Sequence, residues 1–389
     1  MTHSTPYDVI IIGAGPAGLS CGRVLLEAKC TNVLILDKIA PWEHPIPCAE
    51  GVGKLGFHEA IPVDPSWIRQ HISSATFHSP NGSTISYTDK HGGYIIDREH
   101  MQKDLAAKLI SGGMVGDFSC KVKSISAETG DYRSVTTVAG EVFSGRIIID
   151  ASGPTNRFGR TEHIAAQPVD LEPAYFAWVE GYDIAPDHIH IFAGQRLAPG
   201  GYAWIFPRGT GGANIGIVVG RSRKESINIK NMLNDFLRNY CPTVKVIRHF
   251  AGSIPCGYKK SLPIALPGLI KTGDAASTVN PISRAGISEA LLSGRLAGDT
   301  VLSMLRAPTR KGQLRCAKLY ERTWNTHRGY RHMKLAKVKT SLRSIPDDDY
   351  NNGAEALSAI PAEEITMSKI FKASLSRFPR LMWAMRHLM

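Results

Sequence analysis

The sequence predicts an α/β protein, α+β overall, with a Rossmann-like dinucleotide-binding domain, an inserted antiparallel-sheet domain and a helical C-terminal region. Three observations predict it. A glycine loop, Gly13-Ala14-Gly15-Pro16-Ala17-Gly18, follows the apolar run Tyr7–Ile12 and opens a helical pattern. The middle of the chain holds strand-like segments, of which Pro199-Gly-Gly-Tyr202-Ala-Trp204-Ile-Phe206-Pro207 is the clearest. At 389 residues the chain is longer than one hydrophobic core usually supports.

The glycine loop stands in the context that gives it meaning. A buried strand precedes it, a helix carrying Leu19, Val24, Leu25 and Leu26 follows, and a second apolar strand ends at Leu36 before Asp37 and Lys38. Gly13 permits the tight turn, Gly15 lets backbone approach a pyrophosphate, and Gly18 allows close helix–strand packing. The helix N-terminus offers free N–H groups and a partial positive charge to phosphate. Asp37 lies 24 positions after Gly13, placed to accept from a ribose hydroxyl.

Two later segments specify the dinucleotide. Arg146-Ile-Ile-Ile-Asp150-Ala-Ser-Gly153 reads as a strand running into a sharp turn, and Leu269-Ile-Lys-Thr-Gly273-Asp274 as another that enters a helix. They resemble the DxxG and GD segments of hydroxylase-type oxidoreductases, which implies FAD as cofactor. That resemblance gives Asp274 the ribityl chain and the following helix N-terminus the flavin O2 edge, where its dipole stabilises the reduced ring. Arg98, opening the helix after Asp97, matches an arginine near the cofactor in the same superfamily.

In the strand from Tyr202 to Phe206 the alternate residues Tyr202, Trp204 and Phe206 share one face, which makes a flat apolar wall. Such a triplet is ordinarily core packing. Together with the flavin segments, however, it matches the PxxYxWxFP motif at every specified position, from Pro199 to Pro207. On this ground the chain resembles the geranylgeranyl reductase family from Tyr7 to about Asp299. Two departures stand out. Cys48, at the family's cysteine-glycine loop, is followed by Ala49-Glu50 before Gly51. After Asn280-Pro281, Arg284 and Ala285 replace small flexible residues ahead of Gly286 and Ile287, near the expected ring edge.

The resemblance implies an FAD-dependent reductase that saturates C=C bonds of an isoprenoid chain on a lipid, pigment or quinone. An isolated alkene has no carbonyl to polarise it, so protonation to a tertiary cation must accompany hydride delivery. Aromatic faces stabilise such a cation by roughly 0.5–2 kcal/mol each. Tyr202, Trp204 and Cys48 are the catalytic candidates, and Pro199, Tyr202, Trp204 and Phe206 the substrate-binding ones. Tyr202 could position a donor water or pass a proton. Cys48 reads first as a small buried hydrophobe, next as a loop contact near flavin or substrate, and last as a redox or disulfide partner of Cys256. With one dinucleotide loop, the electrons come from transiently bound NAD(P)H or a reduced ferredoxin-type protein.

Two other readings use the same residues. A flavin monooxygenase or halogenase on a small aromatic shares the glycine loop and Gly-Asp, but halogenases typically carry a Trp-x-Trp-x-Ile-Pro strand, absent here. A prenyl-group carrier like the Rab escort proteins would share the fold and hold no flavin.

The expected FAD-binding domain is discontinuous: 1–70, 96–157 and 262–305. Segments 71–95 and 158–261 form the substrate domain, and 306–389 a basic helical C-terminal region. From Arg306 to Arg343, twelve lysines and arginines face the single acid Glu321, nearly the whole net charge of +12. The cluster reads as a solvated helix face, or as a surface for anionic lipid or an acidic electron-donor protein. No nucleic-acid motif accompanies it, so nucleic acid is excluded as a partner. The stripe Phe371, Leu375, Phe378, Met382, Met385 and Met389 suits docking on the protein's own core, an interfacial membrane helix, or a dimer contact. The seven cysteines include no CxxC pair, which argues against structural zinc or a disulfide scaffold. No signal sequence or membrane-length apolar run is apparent, so the expected location is cytoplasmic, with membrane association through the C-terminal region.

Overall fold

The computed structural model describes residues 5–358, 360 and 365, apart from 41, 44, 127, 129, 156–157, 159–168, 221–226 and 258–262. The C-terminal stripe from Phe371 to Met389 therefore lies outside the described residues.

The chain weaves between two sheets. It opens with β1 (Tyr7–Ile12), α1 (Pro16–Glu27) and β2 (Val33–Leu36) in the first sheet. It crosses to the second for β3 (Gly51–Gly53), α2 (Lys54–Ala60), β4 (Ile68–His78) and β5 (Thr84–Ile96). It returns through α3 (Arg98–Ser111), β6 (Val115–Asp117), β7 (Val122–Ile125), β8 (Arg133–Thr137) and β9 (Val142–Asp150). The second crossing builds β10 (Leu171–Glu180), β11 (His188–Phe192), β12 (Tyr202–Pro207), β13 (Gly212–Val218), α4 (Ile229–Tyr240) and β14 (Lys245–Pro255). The chain returns to the first sheet with β15 (Ala265–Leu266), β16 (Leu269–Lys271), α5 (Ile287–Arg306) and α6 (Arg310–Trp324); α7 (Tyr330–Leu342) follows, and α8 (Asp347–Ser358) packs on β5 of the second sheet.

The first sheet runs β15-β16-β9-β1-β2-β6, with β1 parallel to both β2 and β9. Its central strands are apolar throughout because helices cover one face and the β7-β8 meander the other. The second sheet runs β14-β10-β13-β12-β11-β4-β5-β3 and is antiparallel except where β11 lies parallel to β4. β10 pairs with β13 from Ala174 to Glu180, and Gly209–Gly212 is the hairpin turn into β13. Two details differ from the sequence reading. β3 and the start of β4 fall before residue 70, yet they pair in the second sheet. The Gly273-Asp274 segment makes only a short 3-10 turn, Gly273–Ala276, and the helix begins later, at Ile287.

The second sheet has two occupied faces. Ala203, Ile205, Ile215 and Ile217 pack beneath α4 against Leu233 and Phe236. On the other side Trp204 joins Phe176, Phe250, Ala174 and Val218, with Tyr202 and Phe206 partly buried beside them.

Candidate functional site

At the end of β1 the chain turns on Gly13, whose φ of +108° disfavours any residue with a side chain. A Cβ there would lie 2.3 Å from the Ala151 carbonyl oxygen. Gly15 is the converse: a Cβ would meet nothing within 4 Å, so its backbone faces open space. α1 starts with Pro16, no side chain caps it, and its first turn holds no acid. Its first N–H groups and its dipole are thus available to an anion. The Ala14 N–H donates to Asp37 Oδ2 at 2.6 Å, and this bond fixes the loop. Burial pushes the Asp37 carboxyl above its ordinary value, against the pull of the Ala14 and Ile39 N–H groups.

Beside this loop lies a cavity of about 310 Å³. Gly15, Ala17, Gly153, Asp274, Gly286 and Ile287 line it from the first sheet's side; Tyr202, Trp204 and Phe206 line it from the second. Arg98 and Cys48 are also in the lining. Burial raises the Asp274 carboxyl to about 6, with Arg98 opposing the shift. Gln102 takes a bond from Arg98 Nε at 2.9 Å and donates to the Ala14 carbonyl at 3.3 Å, which ties α3 to the glycine loop. An open glycine backbone, an uncapped helix start and a carboxyl aimed into the cavity suit the diphosphate and ribityl groups of FAD.

Not every expected cofactor residue reaches the cavity. Asp150 is fully buried and pairs with Lys271 Nζ at 3.1 Å, while its Oδ1 accepts from the Ser152 N–H at 3.1 Å. The β9–β16 register sets Lys271 directly opposite Asp150, so this carboxylate pairs across the strands and lies outside the cavity lining. Gly13, Gly18 and Gly273 shape the loops behind the lining: a Cβ on Gly18 would lie 1.9 Å from the Gly13 oxygen, and one on Gly273 2.8 Å from Ala17 Cβ. Asp37 and the exposed Lys38 lie outside the lining. Pro199 also lies outside it, its carbonyl accepting from the Gly220 N–H at 2.9 Å.

The aromatic wall is both packed and presented. Trp204 is 4% exposed, with its ring centroid 6.2 Å from that of Tyr202 and 6.3 Å from that of Phe206. Gly216, opposite Trp204 in the register, makes room for the indole: a Cβ there would fall 2.3 Å from Trp204 Cζ2. The hydroxyl of Tyr202 donates to the Ser283 carbonyl at 2.7 Å, and burial pushes its pKa up to about 12. The Tyr202 proton is thus engaged by a carbonyl and held more tightly than in a free phenol.

Cys48 and Cys256 are both free thiols, which removes the disulfide reading. Cys48 Sγ instead accepts from the Glu50 N–H at 3.2 Å. Sequence reasoning missed what anchors this loop. Trp204 Nε1 donates to Asn214 Oδ1 at 3.0 Å, and Asn214 Nδ2 donates to the Cys48 carbonyl at 2.8 Å. Glu50, 2% exposed and left-handed at φ +65°, pairs with Arg208 at 2.8 Å. The one available signal was Glu50 itself, an acid inside the loop where the pattern calls for glycine. A second cavity of about 340 Å³ shares Ala49, Gly51, Tyr202, Phe206, Arg284 and Ala285 with the first. It continues between Ile72, Phe77, Tyr87 and Ile189.

Fold and cavity together define a flavin-dependent oxidoreductase. Residues 170–254 match the geranylgeranyl reductase catalytic domain, and residues 8–169 match the lycopene cyclase protein family. These matches support a likeness to the geranylgeranyl reductase family. It is 28% identical to the digeranylgeranylglycerophospholipid reductase of Methanocella arvoryzae over 388 residues, 97% of each chain. The counterpart from Methanoculleus marisnigri is 29% identical, with 98% of each chain covered. In fold it is similar to the crystal structure of a geranylgeranyl bacteriochlorophyll reductase-like protein from Thermoplasma acidophilum, with a TM-score of 0.87, 24% identity and all of both chains covered.

Proposed function

We propose that this protein is an FAD-dependent reductase that saturates C=C bonds in geranylgeranyl-type chains of a glycerophospholipid. One observation carries the reading: the aromatic wall Tyr202-Trp204-Phe206 and the dinucleotide loop line the same cavity, and a second, largely apolar cavity shares Tyr202 and Phe206 with it. In this reading the first sheet holds the cofactor and the second holds the hydrocarbon. The relatives that match over nearly the whole chain are reductases of digeranylgeranylglycerophospholipids.

Bound and reduced, FAD supplies hydride. The chain's own residues bind, orient and exclude water. Gly15 and the start of α1 hold the diphosphate, and Asp274 accepts from the ribityl chain. Trp204 and Phe206 keep the alkene dry and turn their ring faces to the positive charge that develops on protonation. Tyr202 seals the wall. Glu50, like Asp274, is an acid of this lining whose carboxyl is raised by burial, and Arg208 beside it stabilises the carboxylate left when a proton departs from its Oε atoms.

Electrons come from NAD(P)H bound transiently or from a reduced ferredoxin-type protein, because the described residues form one dinucleotide loop. Among the described residues no helix is long and apolar enough to cross a membrane. Contact with the lipid surface is assigned to α6, whose exposed Lys311, Arg315, Lys318 and Arg322 recur at helical spacing between exposed Leu314 and Leu319.

The deciding experiment is mass spectrometry of membrane lipids from cells with and without the protein. Each saturated bond adds the mass of two hydrogens to the isoprenoid chain. Lipids whose chains are unchanged between the two strains would end this reading, whereas a hydroxylated or halogenated product would favour a monooxygenase or halogenase.

A further inference from the structure

Arg284 is held in an unusual way. Its backbone is left-handed at φ +58°, a conformation that costs a residue with a side chain of order 1–3 kcal/mol and persists only where its surroundings enforce it. Three contacts enforce it here: Arg284 Nε donates to Glu172 Oε2 at 2.9 Å, Nη1 to the Ile282 carbonyl at 2.7 Å, and Nη2 to the Gly200 carbonyl at 2.8 Å. The guanidinium stands 5.1 Å from the centre of the Tyr202 ring and lines both cavities, between the Asp274–Gly286 side and the aromatic wall.

Glu172, which is fully buried, has two further cations on it, and both come from the end of α7. Lys339 Nζ lies 3.2 Å from Glu172 Oε1 and 2.6 Å from Asp170 Oδ2. Arg343 Nη2 lies 2.6 Å from Glu172 Oε1 and 2.7 Å from Asp170 Oδ2. The cluster thus holds three cations against two carboxylates. The cluster as a whole therefore carries one net positive charge, and Arg284 is its member that lines the cavity. Side-chain exposure is 6% for Arg284 and 5% for Lys339, so water screens little of it.

We propose that Arg284 sets the reduction potential of the flavin bound in this cavity, and that α7 contributes by neutralising Glu172. The inference rests on the cavity being the flavin site. A two-electron reduction puts negative charge on the ring system, and a desolvated cluster of net positive charge at the cavity wall stabilises that state relative to the oxidised one. The sequence departure at this loop then has a physical purpose: a fixed side-chain charge stands where small flexible residues were expected.

The test is a redox titration of the full-length protein reconstituted with FAD, followed by flavin absorbance. Arg284→Gln is expected to shift the oxidised:reduced equilibrium about tenfold toward the oxidised form, about 30 mV lower. Arg284→Lys should recover most of this. Lys339→Gln should shift the potential the same way as Arg284→Gln, and Glu172→Gln the opposite way. Lys311→Gln, an exposed cation on α6, should leave it unchanged. Arg343→Gln, at a partly exposed position, serves if Arg284→Gln does not fold, and should also lower the potential. Wild-type potential in Arg284→Gln or Arg343→Gln at full FAD occupancy would overturn the proposal, as would shifts of one sign in all variants. A wild-type chain that binds no FAD would overturn the cavity reading itself.

Discussion

Trp204 and Asn214 form a buried indole-to-amide hydrogen bond of 3.0 Å across neighbouring strands, and the same amide holds the Cys48 carbonyl. The wall and the loop that faces it are therefore one unit. Trp204→Phe keeps most of the aromatic surface but leaves Asn214 Oδ1 buried and unpaired, at a cost of about 1–3 kcal/mol. Thermal denaturation should show that loss. Turnover should fall while bound-flavin absorbance is retained, and unchanged turnover would demote the wall to simple packing.

Asp274 carries a pH signature. Burial raises its carboxyl from the ordinary 3.8 to about 6, so the folded apoprotein holds this proton more tightly than the unfolded chain. The associated stability is full below about pH 4 and is lost as pH rises through 6. Asp274→Asn should make the apoprotein more stable than wild type at pH 8, by up to about 3 kcal/mol, with the difference vanishing near pH 4. The same change should weaken FAD binding about tenfold or more, since a charged acceptor is lost. Denaturant titrations at two pH values and a flavin fluorescence titration check both halves.

Gly51 lines both cavities. A Cβ there would lie 3.0 Å from Phe206 Cε2, closer than such contacts normally come. Gly51→Ala should press the Phe206 ring toward the shared segment. FAD affinity should stay at the wild-type value while KM for a long isoprenoid rises several-fold. Parallel kinetics with long and short prenyl substrates would show the effect, which should be weaker for the short one.

The exposed face of α6 predicts salt-sensitive lipid binding. Its basic residues have no acid among them, because Glu321 turns inward to accept from the Ile264 N–H at 2.6 Å. A cation near an anionic bilayer contributes roughly 1 kcal/mol. Replacing Lys311, Arg315, Lys318 and Arg322 by glutamine should therefore cut partitioning onto phosphatidylglycerol vesicles by about three orders of magnitude at low salt. Turnover of detergent-dispersed substrate should be unaffected. Equal sedimentation of wild type and variant with the vesicles would reject α6 as the contact.

Local patterns were legible in the sequence. The glycine loop was flanked by its strand and helix, and the alternation of Tyr202, Trp204 and Phe206 set them on one face, because both features repeat over a few residues. Long-range pairings were not. The Asn214–Cys48 bond spans 166 positions and the Lys339–Glu172 contact 167, and no periodicity encodes either. Asp150 looked like a ligand until strand register set Lys271 against it. The basic run beyond Arg306 reads as uniform charge along the chain, but Arg328, Lys339 and Arg343 are each drawn into partly or fully buried ion pairs.

The clasp of α7 on Glu172 also bears on how the protein is made. Glu172 is synthesised long before Lys339, so during translation its carboxylate waits without two of its three partners. Removing partners from a buried ion network costs about 3–5 kcal/mol. A nascent chain that has not yet released α7 can shape both sheets but cannot settle the loop carrying Arg284. The cavity thus reaches its final form only after α7 has left the ribosome, and a product truncated before Lys339 is expected to be inactive.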